Sequence, residues 1–288
     1  MYNFFSIIKY LIFSLLFITI SCSSNSPKSN QTENIERTVD EIYNSAMKYM
    51  DDDKYMKAYK EFIEVERLHP YSIWATRAQL MTSYVNYKLY QYEDSISGAK
   101  RYIELHPGAS DIDYAFYLIS LNYYEQINDY RRDQSLTNRA KEAFTNLIRR
   151  FPNSEYARDA KLKLDLVNDH LAAKEMDVGR TYQNLDNYIA ALNRFKTVVD
   201  SYSKTSYAPE ALARLTETYF RLGLYEQAKV YASVLGYNYP QNKWYKYTYS
   251  LFEGEKNILL SEKAEIHKKE GSLMDILNEF TDIFESKN

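Results

Sequence analysis

His69-Pro70-Tyr71-Ser72 ends one helical stretch and starts the next. Proline lacks an N–H and clashes with the preceding turn, so it cannot continue a helix. A Ser, Thr or Asn two residues later accepts a bond from the free N–H groups that open the next one. The same stop-and-start recurs at Phe151-Pro152-Asn153-Ser154, at His106-Pro107, at Tyr239-Pro240-Gln241-Asn242 and, without proline, at Ser203-Lys204-Thr205. Repeated helix-stop and helix-start signals mark a stack of helical hairpins, an architecture that serves binding more than catalysis.

Working outward from these marks, Pro70, Pro107, Pro152, Ser203 and Pro240 are spaced by 37, 45, 51 and 37 residues. The spacing is that of a helical-hairpin unit of about 34 residues with insertions, the tetratricopeptide (TPR) period. Small and aromatic residues recur at the offsets where two helices cross and interlock. They are Ala46, Tyr49, Ala58 and Phe62 in the first unit, and Ser83, Tyr92 and Ser95 in the second. The third has Phe116, Ser120, Tyr123, Ala140 and Phe144, with an insertion at 129–138. The fourth has Gly179, Tyr182, Tyr188, Ala191 and Phe195; the fifth has Leu212, Leu215, Tyr219, Gly223, Tyr225 and Ala228. The expected fold is all-α, a five-repeat TPR-like α-α superhelix, with an irregular helical bundle as the alternative.

From Glu155 to Leu185 no proline occurs and Gly179 is the only glycine, which predicts one helix of some thirty residues ending near Asn184. Such a helix would be about 45 Å long and would join repeats 1–3 (38–152) rigidly to repeats 4–5 (153–242). Residues 243–288 read as a capping helix starting at Asn242-Lys243-Trp244, then an amphipathic tail with Leu273, Ile276, Leu277, Phe280, Ile283 and Phe284 on one stripe. Asp51-Asp52-Asp53 lacks the glycine and distal glutamate of a calcium loop and reads as a turn, with one Asp capping the second helix.

Composition narrows the function. The chain has 288 residues, seven Gly, six Pro and thirty Tyr, and a net charge of −3. No basic footprint for nucleic acid is present. The glycines form no nucleotide-binding spacing, no metal or nucleophile motif occurs, and the four His are scattered, two of them as helix-end residues before proline. No enzyme, cofactor or metal site is expected.

The one cysteine, Cys22, follows an apolar run from Tyr10 to Ile18 and Thr19-Ile20-Ser21. A short apolar run ending in small residues is a cleavable export signal. With the cysteine directly after it, the segment resembles a bacterial lipobox, which implies removal of 1–21 and an S-diacylglycerol and N-acyl group on Cys22. Residues 22–37 then form the acylated cysteine and a polar tether with a reach of about 20 Å. Ser23, in place of Asp, favours the outer membrane in that resemblance.

In stacked hairpins the first helix of each unit lines the concave face. The inward positions hold Tyr43, Met47 and Met50, then Arg77, Leu80, Tyr84 and Tyr87, then Tyr114, Tyr117, Leu121 and Tyr124, with Lys48 and Lys88 nearby. Tyrosine offers large contact area for two frozen torsions, and methionine adapts to varied ligands. These residues are the candidate groove.

The chain also resembles the BamD family of outer-membrane assembly lipoproteins. The resemblance rests on Leu68-His69-Pro70-Tyr71-Ser72 with Ala78-Gln79-Leu80, on Asp133-Gln134-Ser135-Leu136-Thr137, on Phe151-Pro152-Asn153-Ser154-Glu155-Tyr156-Ala157 and on Ala191-Leu192-Asn193-Arg194-Phe195. It implies a non-enzymatic part of the β-barrel assembly machine, lipid-anchored in the outer membrane and facing the periplasm. Its implied partners are unfolded outer-membrane proteins received on the first hairpins, a BamA-like barrel subunit docked by the later ones, and other assembly lipoproteins. Arg194 matches a position that contacts the barrel subunit; on the residues alone it is equally a solvated helix charge. A generic periplasmic TPR scaffold is the alternative function.

Overall fold

A computed structural model describes residues 37–266. Among these, eleven helices follow one another with no strand. They are α1 (Val39–Asp51), α2 (Tyr55–Leu68), α3 (Ile73–Lys88), α4 (Tyr92–Leu105), α5 (Ile112–Glu125), α6 (Ser135–Arg150), α7 (Glu155–Asn184), α8 (Tyr188–Ser201), α9 (Ala208–Arg221), α10 (Tyr225–Asn238) and α11 (Lys243–Ile266). The first ten pair into five hairpins, a TPR-like solenoid. The signal segment, Cys22 and the tail stripe at 273–284 lie outside the described residues.

The stop-and-start chemistry operates where the punctuation is. His69, His106, Phe151 and Tyr239 each terminate a helix. Ser72 Oγ accepts from Ala75 N at 3.0 Å, Ser154 Oγ from Tyr156 N at 3.2 Å, and Asn242 Oδ1 from Trp244 N at 3.0 Å. Within four of the hairpins the first helix ends in a left-handed residue: Asp53 (φ 56°), Tyr90 (φ 61°), Asp186 (φ 56°) and Gly223 (φ 72°). The next N–H then reaches back to an orphan carbonyl of the last turn, from Lys54 to Tyr49, Gln91 to Asn86, Asn187 to Tyr182 and Leu224 to Tyr219, at 2.8–2.9 Å. Asp53 therefore closes α1 rather than capping α2, which Lys54 precedes with no side-chain cap. A residue in the left-handed region is already committed to ending the first helix.

The small residues sit at helix crossings. Ala46, Ala58, Ser95, Ser120 and Ala191 are fully buried. Gly98 lies so close to Ser83 that a β-carbon there would collide with Ser83 Oγ.

Helix α7 spans thirty residues, from the Ser154 cap to Asn184. Its first half packs into the cluster of Ala140, Phe144 and Leu147, through Ala160, Val167 and Leu171. Its second half packs into the cluster of Ala191, Phe195 and Leu215, through Ala172 and Met176. One unbroken helix thus belongs to both cores. The loop before α6 is tied to it: Lys174 Nζ donates to the Arg131 carbonyl at 3.0 Å, and Gln134 Oε1 meets His170 Nδ1 at 3.2 Å. Helix α11 covers the open end, with Trp244, Tyr245 and Tyr247 on Leu212 and Leu235, and Phe252 edge-on to Phe220.

Successive first helices touch: α1 with α3, α3 with α5, α5 with α7, and α9 with α11. The second helices pack chiefly against their own and the following first helix. Close first helices and spread second helices curve the array, with the first helices inside.

Candidate binding groove

Each first helix sends aromatic side chains to the inner surface, and rings meet rings from one hairpin to the next. Tyr43 of α1 lies 4.7 Å from the Trp74 ring of α3. Tyr84 of α3 lies 6.3 Å from Tyr114 of α5. Tyr114 and Tyr117 of α5 each lie 5.2 Å from Tyr156 of α7, Tyr117 stacked upon it. The result is an aromatic surface across four helices in two ring clusters, Tyr43 with Trp74 and a run from Tyr84 through Tyr114 and Tyr156 to Tyr117. At its upper end Tyr43, Arg77, Leu80, Met81, Asp111, Tyr114 and Tyr156 line an open depression of about 290 Å³.

The phenols are held by carboxylates along the same surface. Tyr117 donates to Asp159 Oδ2 at 2.5 Å, and Tyr102, buried beneath, donates to Asp111 Oδ1 at 2.5 Å. Tyr87 donates to Glu125 Oε1 at 3.3 Å. Lys163 Nζ lies 2.7 Å from Asp159 Oδ2 and 5.9 Å from the Tyr124 ring centre. Burial, reinforced by the neighbouring acid, pushes Tyr87 up to about 12. Burial also raises Tyr114, Tyr117, Tyr102 and Tyr156. Burial raises the Asp159 carboxyl, but the bonds from Lys163 and Tyr117 outweigh it and leave it below the ordinary carboxylate range. Tyr87 and Tyr117 thus present neutral rings whose hydroxyls are fixed in direction by Glu125 and Asp159.

Of the residues expected here, Tyr43, Arg77, Tyr84, Tyr87, Tyr114 and Tyr117 share this surface. Tyr124 joins it through Lys163 while its ring packs edge-on to Phe144, 5.9 Å away. Met47 lies half-buried against the core of the first hairpin. Of the expected cations, Arg77 stacks on Trp74 at 5.4 Å, inside the groove. Lys88 is instead engaged at the hairpin turn, 5.3 Å above the Tyr55 ring. Arg194 lies on α8, with Nη1 3.1 Å from Glu175 Oε2 of α7.

Trp74 and Tyr156 are contributors that the repeat offsets missed. A local signal existed: Ser72-Trp74, Ser154-Tyr156 and Asn242-Trp244 each place an aromatic two residues after the cap, whereas the expected cap at Thr205 does not form, since its hydroxyl donates to the Tyr202 carbonyl and Tyr207 itself holds the cap position. Trp244 also carries a stacked arginine, but from a neighbouring helix: Arg214 of α9 lies 5.3 Å from its ring. Among the described residues no group of His, Cys, Asp and Glu is arranged to hold a metal ion, and no helix is long and apolar enough to cross a membrane.

The family described as outer membrane lipoprotein, YfiO, matches residues 35–235. The chain is 46% identical over 216 residues to the outer membrane protein assembly factor BamD of Rickettsia prowazekii (strain Madrid E), which covers 75% of this chain and 86% of that one. It is equally 46% identical over 216 residues to the protein of that name from Caulobacter vibrioides, covering 75% and 71%. Among solved structures, a thermophilic TPR protein of Thermus thermophilus overlaps 74% of this chain and 97% of its own, at 16% identity and a TM-score of 0.36.

Proposed function

The chain belongs to the YfiO family of outer membrane lipoproteins, and from that premise we propose that it is a non-enzymatic assembly factor for outer-membrane β-barrel proteins. Its relatives at 46% identity carry the name of such a factor. On this reading Cys22 bears the lipid, the chain hangs from the outer membrane into the periplasm, and the inner surface of the first hairpins receives the C-terminal segments of unfolded clients. The second half, with Arg194, docks a BamA-like barrel subunit.

The observation that carries the client role is the aromatic inner surface, with Tyr43 against Trp74 and a ring-to-ring run from Tyr84 through Tyr114 and Tyr156 to Tyr117, joined at the depression that Tyr43, Tyr114 and Tyr156 line. An extended segment ending in aromatics can lay its rings on such a surface while its free backbone groups meet the fixed phenols and carboxylates. Arg77, at the upper depression, is placed for a terminal carboxylate. Calorimetry of a client C-terminal peptide against the Tyr84→Ala/Tyr117→Ala chain tests the reading. Affinity equal to that of the parent chain would reject the groove.

A further inference from the structure

The first two hairpins expose Leu68, Tyr71, Ile73 and Leu105 at the edge where the chain enters the fold, and Met56 and Tyr90 at the opposite one. Helix α1 starts at Val39 and runs antiparallel to α2, so its start lies beside the end of α2 at Leu68; α3 starts on that edge at Ile73, and α4 ends on it at Leu105. Polar contacts bind these ends together. Gln79 donates to Glu66 at 3.1 Å and meets His106 at 3.1 Å, Arg101 lies 3.7 Å from Glu66, and Arg37 pairs with Glu61 at 2.8 Å. Outside this brace Leu68, Tyr71, Ile73 and Leu105 are exposed, Tyr71 to 101%.

The turn itself needs none of these side chains. His69 and Ser72 supply its hydrogen bonds: Ser72 donates to the His69 carbonyl at 2.8 Å and caps α3. Leaving four large apolar groups in water stabilises nothing. The N-terminal segment enters the fold at this same edge, at Arg37, and only fourteen residues lie between Arg37 and Cys22. Fully extended they reach about 50 Å at most, so the edge cannot stray far from the acylated cysteine.

We propose that this edge rests on the lipid surface, with Tyr71 and Ile73 in the headgroup layer and Leu68 and Leu105 beside them. Tyrosine suits that layer because its ring is apolar and its hydroxyl stays wet. The inference rests on the reading that Cys22 is acylated, and it adds an orientation to it. Tyr43, Arg77, Tyr114 and Tyr156 all lie near the starts of their helices, so the depression they line opens next to the bilayer. A client held there would be presented at the membrane surface.

The opposite edge supplies the control. Tyr90, 78% exposed, sits at the far end of α3. Sixteen residues of helix separate the two edges by about 24 Å, more than the roughly 5–10 Å depth of an interfacial contact. The full-length acylated chain carrying either Tyr71→Cys or Tyr90→Cys is labelled with an environment-sensitive fluorophore; Cys22 is blocked by its thioether. Each is placed on phosphatidylethanolamine–phosphatidylglycerol vesicles containing headgroup spin-labelled lipid, with flotation measured in parallel. The expected result is flotation of both, loss of most fluorescence at 71 and none at 90. Flotation with equal intensity at the two sites overturns the edge contact and assigns the apolar row to a protein neighbour. Failure of both to float overturns the anchoring at Cys22, and this inference with it.

Discussion

The Phe195 ring lies directly on the backbone of Gly179: a β-carbon at 179 would stand 2.5 Å from Phe195 Cε1 and 2.8 Å from Cδ1. Both residues are buried where the second half of the long helix α7 meets α8. The ring is enclosed and has little room to give. Gly179→Ala is therefore expected to lower the unfolding free energy by about 1–2 kcal/mol, even though alanine favours a helix by about 1 kcal/mol over glycine. Gly254, also in a helix but with open space around it, should show the opposite sign in Gly254→Ala. Urea denaturation of the two variants checks the pair. A smaller ring partner should rescue the first, so Phe195→Leu/Gly179→Ala should cost less than the sum of the single changes.

Tyr90 occupies a left-handed position that Gly223 fills in the last hairpin. The conformation costs a residue with a β-carbon about 1–2 kcal/mol. Its ring contact with Tyr92, edge-on at 6.2 Å, returns part of that. Tyr90→Gly should raise stability by about 0.5–1 kcal/mol, and Gly223→Ala should lower it by about 1 kcal/mol. Thermal melts of both variants decide it; a loss of stability in Tyr90→Gly would show that the ring, not the turn, governs the site.

For the groove, the two tyrosines named for calorimetry, Tyr84 and Tyr117, are central, each touching rings on a neighbouring helix. Central aromatic anchors in binding surfaces carry about 2 kcal/mol or more each, so each single alanine variant should bind a client peptide about 30-fold more weakly and the double variant about 1,000-fold, with helical content unchanged by circular dichroism.

The phenols also set a pH limit. Free tyrosine ionises near 10.0, and Tyr87 in the fold near 12. A folded-state value above the unfolded one means the neutral ring is the form the fold holds. The contribution of these rings is present in full below pH 10.0 and is lost as the pH climbs towards 12. Denaturant midpoints should be flat from neutral pH to about 9 and fall above 10, less steeply in Tyr87→Phe.

Arg194 and Glu175 form a pair whose side chains are 44% and 22% exposed. Such a pair contributes about 0–1 kcal/mol, so Arg194→Glu should leave the melting curve nearly in place. On the proposed docking of a BamA-like subunit at Arg194, the same change should abolish the complex in a pull-down, since a reversed charge at a desolvated interface would cost far more than the lost pair in water. Retained complex would return Arg194 to the role of a solvated helix charge.

The hairpins were legible because their signals are short-range. A proline, a capping serine and a left-handed turn residue each act within about four residues of themselves, so Pro70-Tyr71-Ser72 and Pro152-Asn153-Ser154 mark their boundaries without reference to the rest of the chain. The thirty-residue helix was legible for the same reason, as a stretch with no breaker between Glu155 and Asn184. Most of the groove tyrosines followed from the helical period once the first helices were identified.

Only the tertiary structure decided which side chains meet. Tyr156 reaches Tyr114 and Tyr117 from some forty positions away, and Lys88 turns to Tyr55 while Arg77 stays with Trp74. Neither choice is written in a local pattern, because each depends on how closely one first helix lies against the next. Periodicity along the chain assigns a residue to a face; the packing of separate helices determines what that face becomes. The apolar edge is of the same kind: Leu68, Tyr71, Ile73 and Leu105 are ordinary residues in sequence and form one row only because antiparallel helices bring their ends together.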